Sequence, residues 1–474
     1  MGTIEVIKKF IESNWIIEKA VREVLEHLPL RFRYGISFGP TFRYWLAFLK
    51  ESESWERSRV EAYQVEQLKD LLKHAGGNVP YYKKVFHEYG FNPQKLQSLD
   101  DVKTLPYVDK EIVRDNVSEF LADNIARKTM FRKHTSGSTG IPLAIYSNKE
   151  AEEKHWATVV QAWSKIGYTP KSKMVTFWGI IPKWRRYANQ LILSRYYFDD
   201  KSLQTFAKMI REFQPKFILG LPSILFLFAH FMRENSIPSF NGIRGCIAES
   251  ESLYPWQRKL IEEQFGARTF STYGMVEKVL YASECVNCSR YHIYPQYGIP
   301  ETIMASDGIY ELVGTGLINY AHPLIRYKTA DIGALSSPAC SSCSFSYESL
   351  ELIEGRIGDL LIDKAGKALS PMRVGVNSTA FKNVRMFQFY QDTPGKVILR
   401  LVKKPHFSDF DAEKIRGRVI ADLGLTEKQN LIDIEIVFVS DVQRSPSGKF
   451  IMVRQMLNTR ELIGGKGDNL RSPE

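Results

Sequence analysis

The segment His134–Leu143 reads HTSGSTGIPL, with Thr135, Ser136, Gly137, Ser138, Thr139 and Gly140 in one unbroken run. Glycines let a backbone turn tightly and aim successive N–H groups at one point. Hydroxyls add donors beside them, and phosphate oxygens need such a cradle. The Gly-Lys-Ser/Thr ending of a Walker loop is missing. Alone, such a run is more often a surface loop. Four further segments follow it: STYGMVEK (Ser271–Lys278), RYKTADIG (Arg326–Gly333), EGRIGDLL (Glu354–Leu361) and RSPSGKF (Arg444–Phe450). They present Tyr273, Gly274 and Glu277 close together, Asp331 in a turn, Arg356 at a joint and Lys449 on a glycine-containing loop. Two C-x-x-C pairs complete the set, Cys285/Cys288 and Cys340/Cys343, separated by 51 residues. This spacing argues for a closed, tetrahedral structural zinc site, with four reduced buried cysteines as the plainer alternative. The fifth cysteine, Cys246, reads as a core residue on a strand.

Positioning these groups takes a large scaffold. The chain has 474 residues, 44% hydrophobic and 25% charged, which excludes a disordered chain or a disulfide-knotted mini-protein and gives two to four domains as the prior. Residues 1–78 read as a helical segment: Ile4, Ile7, Phe10 and Ile11 recur at helical spacing, as do Val65, Leu68, Leu71 and Leu72. From about 100 to 350, strands alternate with helices. The strands expected are 174–178, 217–219, 245–248 and 268–273, and the helices 151–166, 203–213, 223–235 and 255–265. That alternation predicts an α/β fold with a largely parallel sheet. Shorter strands at 309–313, 317–320 and 334–336 predict a β-rich part. Beyond Gly355, strands at 387–391, 396–402 and 432–439 and a helix over 409–423 predict a small α+β domain. The domains expected are therefore 1–78, 79–355 with the zinc-bearing β-rich part at about 280–350, and 356–474.

The net charge is +11, and +8 of it falls between Lys165 and Lys216, interleaved with Trp178, Trp184, Tyr187, Tyr196 and Tyr197. Such a stretch suits an anionic substrate, a membrane surface or nucleic acid, or is simply a solvated face. The longest apolar run, Phe217–Phe231, contains Pro222 and His230 and is too short to span a bilayer. The N-terminus lacks a clean signal-peptide core. The expected location is cytoplasmic, with peripheral attachment at the inner face of the membrane as an option.

The five segments, in this order, resemble the adenylate-forming superfamily, whose patterns are a Ser/Thr/Gly phosphate loop, Tyr-Gly-x-Thr-Glu, Tyr-Arg-Thr-Gly-Asp, Gly-Arg-x-Asp-Asp and Ser-Gly-Lys. The stretches FQPKFILGLPSIL (Phe213–Leu225), SESLYP (Ser250–Pro255), PLIRYKTADIG (Pro323–Gly333), VPYYKKVF (Val79–Phe86) and GRIGDLLIDKAGKALSP (Gly355–Pro371) are similar to the phenylacetate–CoA ligase and CapK-like branch. The resemblance covers roughly residues 60–455. It implies a large ATP- and acyl-binding domain followed by a small lid domain. Thr135, Ser136, Gly137, Ser138, Thr139 and Gly140 would hold the β- and γ-phosphates of ATP. Ser250 and Glu251 would border the base, and Tyr273 with Gly274 would stack on it. Asp331 would take the ribose hydroxyls and Arg356 the ribose or phosphate. Glu277 would bind Mg²⁺. Lys449, with Glu277 and Thr139, would serve the chemical step. Cys/His metal sites occur at this place in the branch, so His292 is a spare ligand beside the four cysteines. Val276, Ala330, Gly358 and Ile141 depart from the family patterns.

The function implied is ATP-dependent activation of a carboxylic acid as its acyl-adenylate. Transfer would follow to CoA, a carrier thiol, or a sugar amine or hydroxyl, in surface polysaccharide biosynthesis. ATP, Mg²⁺ and structural Zn²⁺ are the cofactors implied. No nucleic-acid partner is expected, and a homodimer is one option for assembly. Two other readings stand: a catalytically silent nucleotide-binding scaffold of a polysaccharide complex, and a zinc-containing nucleic-acid binder. The latter leaves Tyr273, Asp331 and Lys449 without a purpose.

Overall fold

The computed structural model describes residues 39–135, 143–178, 183–288, 290–306, 308–336, 343, 345, 347–374, 379–445 and 450–464. Ser136, Gly137, Ser138, Thr139, Gly140, Cys340 and Lys449 lie outside these, as do the first 38 residues.

Helices α1 (Pro40–Ser52), α2 (Arg57–Asn78) and α3 (Pro80–Glu88) lead in, with a short α4 (Lys110–Asp115). Pro40 and Pro80 open α1 and α3 at a position where no amide donor is needed. Strands β1 (Phe131–His134) and β2 (Ala144–Ser147) pair as a hairpin around the Ser/Thr/Gly run. Then come α5 (Lys149–Ser164), β3 (Met174–Trp178), β4 (Trp184–Arg186), β5 (Gln190–Ser194), α6 (Asp200–Phe213), β6 (Phe217–Gly220), α7 (Pro222–Glu234), β7 (Gly245–Ala248), α8 (Pro255–Phe265) and β8 (Thr269–Gly274). Side chains of Asn148 and Asp199 cap α5 and α6.

Strands β9 (Tyr281–Glu284), β10 (Tyr291–Ile293), β11 (Gly298–Ser306), β12 (Ile309–Gly316), β13 (Tyr327–Ser336) and β14 (Ser349–Arg356) complete one twelve-stranded sheet, ordered β11-β12-β13-β14-β10-β9-β8-β7-β6-β3-β5-β4. Strands β5, β3, β6, β7 and β8 run parallel, and the strands from β9 to β14 are antiparallel. The change falls at β8, which pairs parallel with β7 and antiparallel with β9. Helices α6, α7 and α8 bury Phe206, Ile210, Leu225, Phe228, Ile261 and Phe265 against the parallel half.

After the two-residue strands β15 (Leu361–Ile362) and β16 (Ala368–Leu369), a second sheet forms from β17 (Val384–Thr393), β18 (Lys396–Lys403), β19 (Asp433–Phe438) and β20 (Val453–Gln455), ordered β19-β18-β17-β20. Helix α9 (Asp409–Asp422) covers it through Ile415 and Val419. The last helix, α10 (Thr459–Gly464), returns to the large sheet beside β11.

The fold is α/β, with a mixed large sheet and a smaller C-terminal α+β unit. Strands β3 and β7 and helix α8 begin and end where the sequence predicts. The strand expected at 317–320 does not form. Leu317 N–H instead donates to Tyr297 O, and the Asn319 side chain donates to Tyr146 O and His322 O, which holds the chain in turns. Strands β4 and β5 lie inside the basic stretch and were not foreseen. Lys165 lies over the Phe345 ring and Lys173 reaches Phe213 O, whereas Trp178, Trp184, Tyr196 and Tyr197 stay exposed near the β4 edge.

Candidate active site

Ligands of open α/β sheets collect beyond the carboxyl ends of parallel strands. Tyr273 and Gly274 end β8, Glu249–Glu251 follow β7, and Leu221 follows β6. Gly274 is fixed by packing, since a Cβ there would lie 2.7 Å from the Tyr281 ring. The Tyr273 ring is buried, and its hydroxyl donates to Asp331 Oδ2 at 2.8 Å. Arg356 Nε donates to the other oxygen, Asp331 Oδ1, at 3.1 Å. Tyr273 comes from β8, Asp331 from β13 and Arg356 from the end of β14, directly opposite Asp331 in the ladder.

A bulge aims Asp331. The register between β12 and β13 shifts between Glu311↔Ile332 and Val313↔Lys328, and Ala330 within it takes φ +62°. The Ala330 N–H donates to Glu311 Oε1 at 2.9 Å. Burial lifts the Tyr273 hydroxyl well above the usual tyrosine range, and the Asp331 charge adds to this. The hydroxyl therefore stays a donor, and Asp331 remains the acceptor of the cluster.

Glu277 is half-buried on the turn after β8, and the Tyr327 hydroxyl donates to its Oε1 at 3.3 Å. Burial raises its pKa, with Arg356 pulling the other way. Arg356 thus acts on both carboxylates expected to face a nucleotide. Thr135 stands at the neck of the β1–β2 hairpin. Its N–H donates to Leu143 O and its hydroxyl accepts from Leu143 N–H, both at 3.0 Å, so the two ends of the loop are tied together.

Ser250 adopts φ +67° in the turn after β7. Glu251 beside it accepts from the Ser223 N–H at the start of α7 (3.0 Å) and from the Phe450 N–H (3.1 Å). One carboxylate so ties a helix N-terminus to the residue that follows Lys449. Arg460 pairs with Glu311 at 3.1 Å, a second link between the C-terminal segment and the large sheet.

Another cluster at the hairpin neck was missed by sequence reasoning. Lys278 is 2% exposed, and its ammonium lies 3.2 Å from Glu152 Oε1. Lys133 of β1 reaches Glu152 Oε2 at 2.6 Å, and the Ser147 hydroxyl of β2 donates to Glu152 as well. Burial works against the Glu152 charge. Lys278, Lys133 and Ser147 outweigh it and hold Glu152 at about 2. Burial drives Lys278 down to about 8 despite Glu152. The only hint in the sequence was Lys278 beside Glu277. Nothing there joined it to Glu152.

Among the expected zinc ligands, Cys285, Cys343 and the spare His292 come together, their ligand atoms all within 4.8 Å of one another. Cys343 Sγ lies 3.2 Å from His292 Nε2, and the Asn287 N–H points at Cys285 Sγ (3.4 Å). Cys288 is half-buried on the same turn and is not one of the three.

The family profile described as the CapK C-terminal domain matches residues 361–456. The phenylacetate-coenzyme A ligase of Aromatoleum evansii is 28% identical over 345 residues, which cover 69% of this chain and 77% of that protein. Protein CapK of Staphylococcus aureus is 23% identical over 399 residues, covering 81% and 87%. Among solved structures, 2-hydroxyisobutyryl-CoA ligase in its postadenylation state aligns with a TM-score of 0.69 at 16% identity, covering 86% of this chain and 91% of that one. The resemblance carried by the five motifs is borne out: the chain has the adenylate-forming fold, bears a CapK C-terminal domain over residues 361–456, and is a homologue of the phenylacetate-CoA ligases and CapK.

Proposed function

We propose that the chain is an AMP-forming ligase that activates a carboxylic acid. The observation that carries this reading is the convergence of Tyr273, Asp331 and Arg356 beyond the parallel strands, beside Glu277. In the first step a carboxylate oxygen attacks the α-phosphorus of ATP. The bond from the α-phosphorus to the bridging oxygen breaks, and pyrophosphate leaves. Asp331 has two oxygens to offer the ribose hydroxyls, currently taken by the Tyr273 hydroxyl and Arg356. The loop from Thr135 to Gly140 cradles the outer phosphates, and Lys449 offsets charge growing between the carboxylate and the α-phosphate. In the second step a thiol attacks the acyl carbonyl, and AMP departs. CoA fits the names of the relatives, with a carrier thiol or a sugar-linked acceptor as the other options. A surface-polysaccharide precursor is our proposal for the final acceptor.

Glu277, a half-buried carboxylate beside the cluster, fits Mg²⁺, which would neutralise phosphate charge when bound. Two thiols and an imidazole within one small volume fit structural Zn²⁺, with Cys340 or Cys288 as fourth ligand. We divide the chain into a helical lead-in (1–78), a large domain (79–355) and a lid (356–474). The 3₁₀ turn Ile357–Asp359 is the joint, and a Cβ on Gly358 would meet nothing within 4 Å, leaving that turn room to move.

ATP–pyrophosphate exchange, screened over aryl, hydroxy and amino acids, tests the reading. Exchange should appear with one acid class and vanish in Lys449→Ala while ATP still binds. Bound ATP with no exchange for any acid would favour the silent scaffold. Metal analysis should give about one zinc per chain, lost in Cys285→Ser.

A further inference from the structure

A cavity of about 430 Å³ lies between helices α7 and α8 of the large sheet and the β17 region of the C-terminal unit. Its walls are apolar: Phe226, Leu227 and Leu260 on one side, Phe381 and Phe387 on the other. These lining residues of α7 fall on the face turned away from the sheet, since Leu225 and Phe228 pack inward. Tyr273, Asp331, Arg356 and Glu277 do not line the cavity, but Ser223 and Phe450 do, and Glu251 ties these two together, so the cavity adjoins the turn after β7.

Three polar atoms on its lining residues have no hydrogen-bond partner among the described residues: Ser223 Oγ, His230 Nε2 and Trp256 Nε1. Ser223 is 3% exposed and His230 5%. Orphaned buried polar atoms cost roughly 1–3 kcal/mol each, and these three sit just behind the lining, where a ligand reaches them only if the lining shifts. Their chemistry is specific. His230 Nδ1 faces Glu234 Oε2 at 3.3 Å, and burial together with neighbouring cations keeps the ring neutral. The ring proton then sits on Nδ1, and Nε2 offers a lone pair. Trp256 Nε1 only donates, and the Ser223 hydroxyl does either.

The rim is cationic. Arg233, Lys382, Arg385 and Lys404 line the cavity, with Glu234 the one carboxylate. Arg233, Lys404 and Arg385 all bear on His230, and Arg233 also bears on Lys404. The fold holds like charges near one another at the mouth of an apolar hole, and an anion would relieve that repulsion.

We propose that this cavity is a binding site for a small amphipathic anion, an apolar body bearing a carboxylate or phosphate head. The body fills the space between Phe226 and Phe387, and the head meets Arg385, Lys382 and Lys404. Since both units wall the site, an occupied cavity would hold them in this arrangement.

The test is calorimetric titration of the full chain, without nucleotide, using octanoate, octyl phosphate and the neutral control octanol. At least one anion should bind saturably, octanol should bind at least tenfold more weakly, and Trp256→Phe should remove the fluorescence change on binding. Which anion wins identifies the head group. The variant Lys382→Glu/Arg385→Glu changes two exposed side chains, so it should fold, as checked by circular dichroism. It should weaken anion binding at least tenfold. Equal binding of octanol, no saturable binding of either anion, or anion binding unchanged in the double variant would overturn the proposal. The last result would place the ligand elsewhere, including at the acyl site. None of these readouts depends on adenylation, so pyrophosphate exchange stands or falls separately.

Discussion

Two ionic clusters flank the turn after β8, and each is built on one carboxylate. Asp331 is held by Tyr273 and Arg356, and Glu152 by Lys278, Lys133 and Ser147. They differ in water. The Arg356 side chain is 45% exposed, whereas Lys278 is 2% exposed. An exposed arginine can release its carboxylate to a ligand and be re-solvated, at a cost of about 1 kcal/mol or less. A buried lysine has no such exchange. The first cluster is built to trade partners, and the second is built to stay. Substitutions should therefore separate cleanly, activity following Asp331 and stability following Glu152.

The largest effect is expected at Glu152. Glu152→Gln leaves the Lys278 ammonium buried without its partner, which should cost about 3–5 kcal/mol in urea unfolding. Lys278→Met should cost less, because Glu152 keeps Lys133. Adding Lys278→Met to Glu152→Gln should restore much of the loss, giving a large coupling energy in the double-mutant cycle. Additive losses would show that the pair is not the source of the stability.

Asp331→Ala should reverse the pattern. Two charge-assisted hydrogen bonds to a ribose, at roughly 1.5–3 kcal/mol each, predict that ATP-dependent exchange falls by about 100-fold or more. Unfolding free energy should drop by roughly 1–3 kcal/mol, since Arg356 turns to water and the buried Tyr273 hydroxyl loses its acceptor. A stability loss as large as that of Glu152→Gln would erase the contrast between the clusters.

Titration sharpens the contrast from another side. Burial holds Lys278 at about 8 in the folded chain, below its ordinary value of 10.5. Between those values the unfolded chain binds more protons than the folded one, so this group makes stability rise with pH. Relative to Lys278→Met, the wild type should gain stability from pH 8 to 10.5, by up to roughly 1.4 kcal/mol per unit. Urea midpoints at three pH values suffice, and parallel curves would refute it. The Glu152 effect should be full above the ordinary carboxylate value of 4.5 and fade as pH falls toward about 2.

The contrast also explains what could be read in advance. Strand β7 and helix α8 were legible because GCIA and PWQRKLIEEQF carry local signals, a short apolar run and a proline-opened amphipathic turn. The Asp331 cluster was legible because Tyr273, Asp331 and Arg356 each sit in a distinctive local segment. Glu152 and Lys278 carry no such mark. They meet only because α5 and the turn after β8 converge on the hairpin, which no local window contains. The single continuous sheet was hidden for the same reason. The antiparallel half is closed by β10 pairing with β14, where Tyr291 meets Leu350 from far along the chain. Strands β4 and β5 were masked by the basic and aromatic side chains that dominate their stretch.

The smallest effect concerns the backbone that aims Asp331. Ala330 sits at φ +62°, where an L-residue costs roughly 1–2 kcal/mol. Glycine would remove that cost but lose about 0.5–1 kcal/mol to the greater freedom of the unfolded chain. Ala330→Gly should therefore stabilise by about 0.5 kcal/mol and leave exchange activity within about twofold. Arg326 provides the control, with φ +53° four residues earlier. Its guanidinium pairs with Glu301 at 2.8 Å and donates to Lys103 O and Leu105 O. There the same backbone relief comes with loss of a buried, fully engaged cation, so Arg326→Gly should destabilise by several kcal/mol. If Ala330→Gly also destabilised, the bulge would owe its shape to the alanine methyl rather than to the Glu311 bond that its N–H makes.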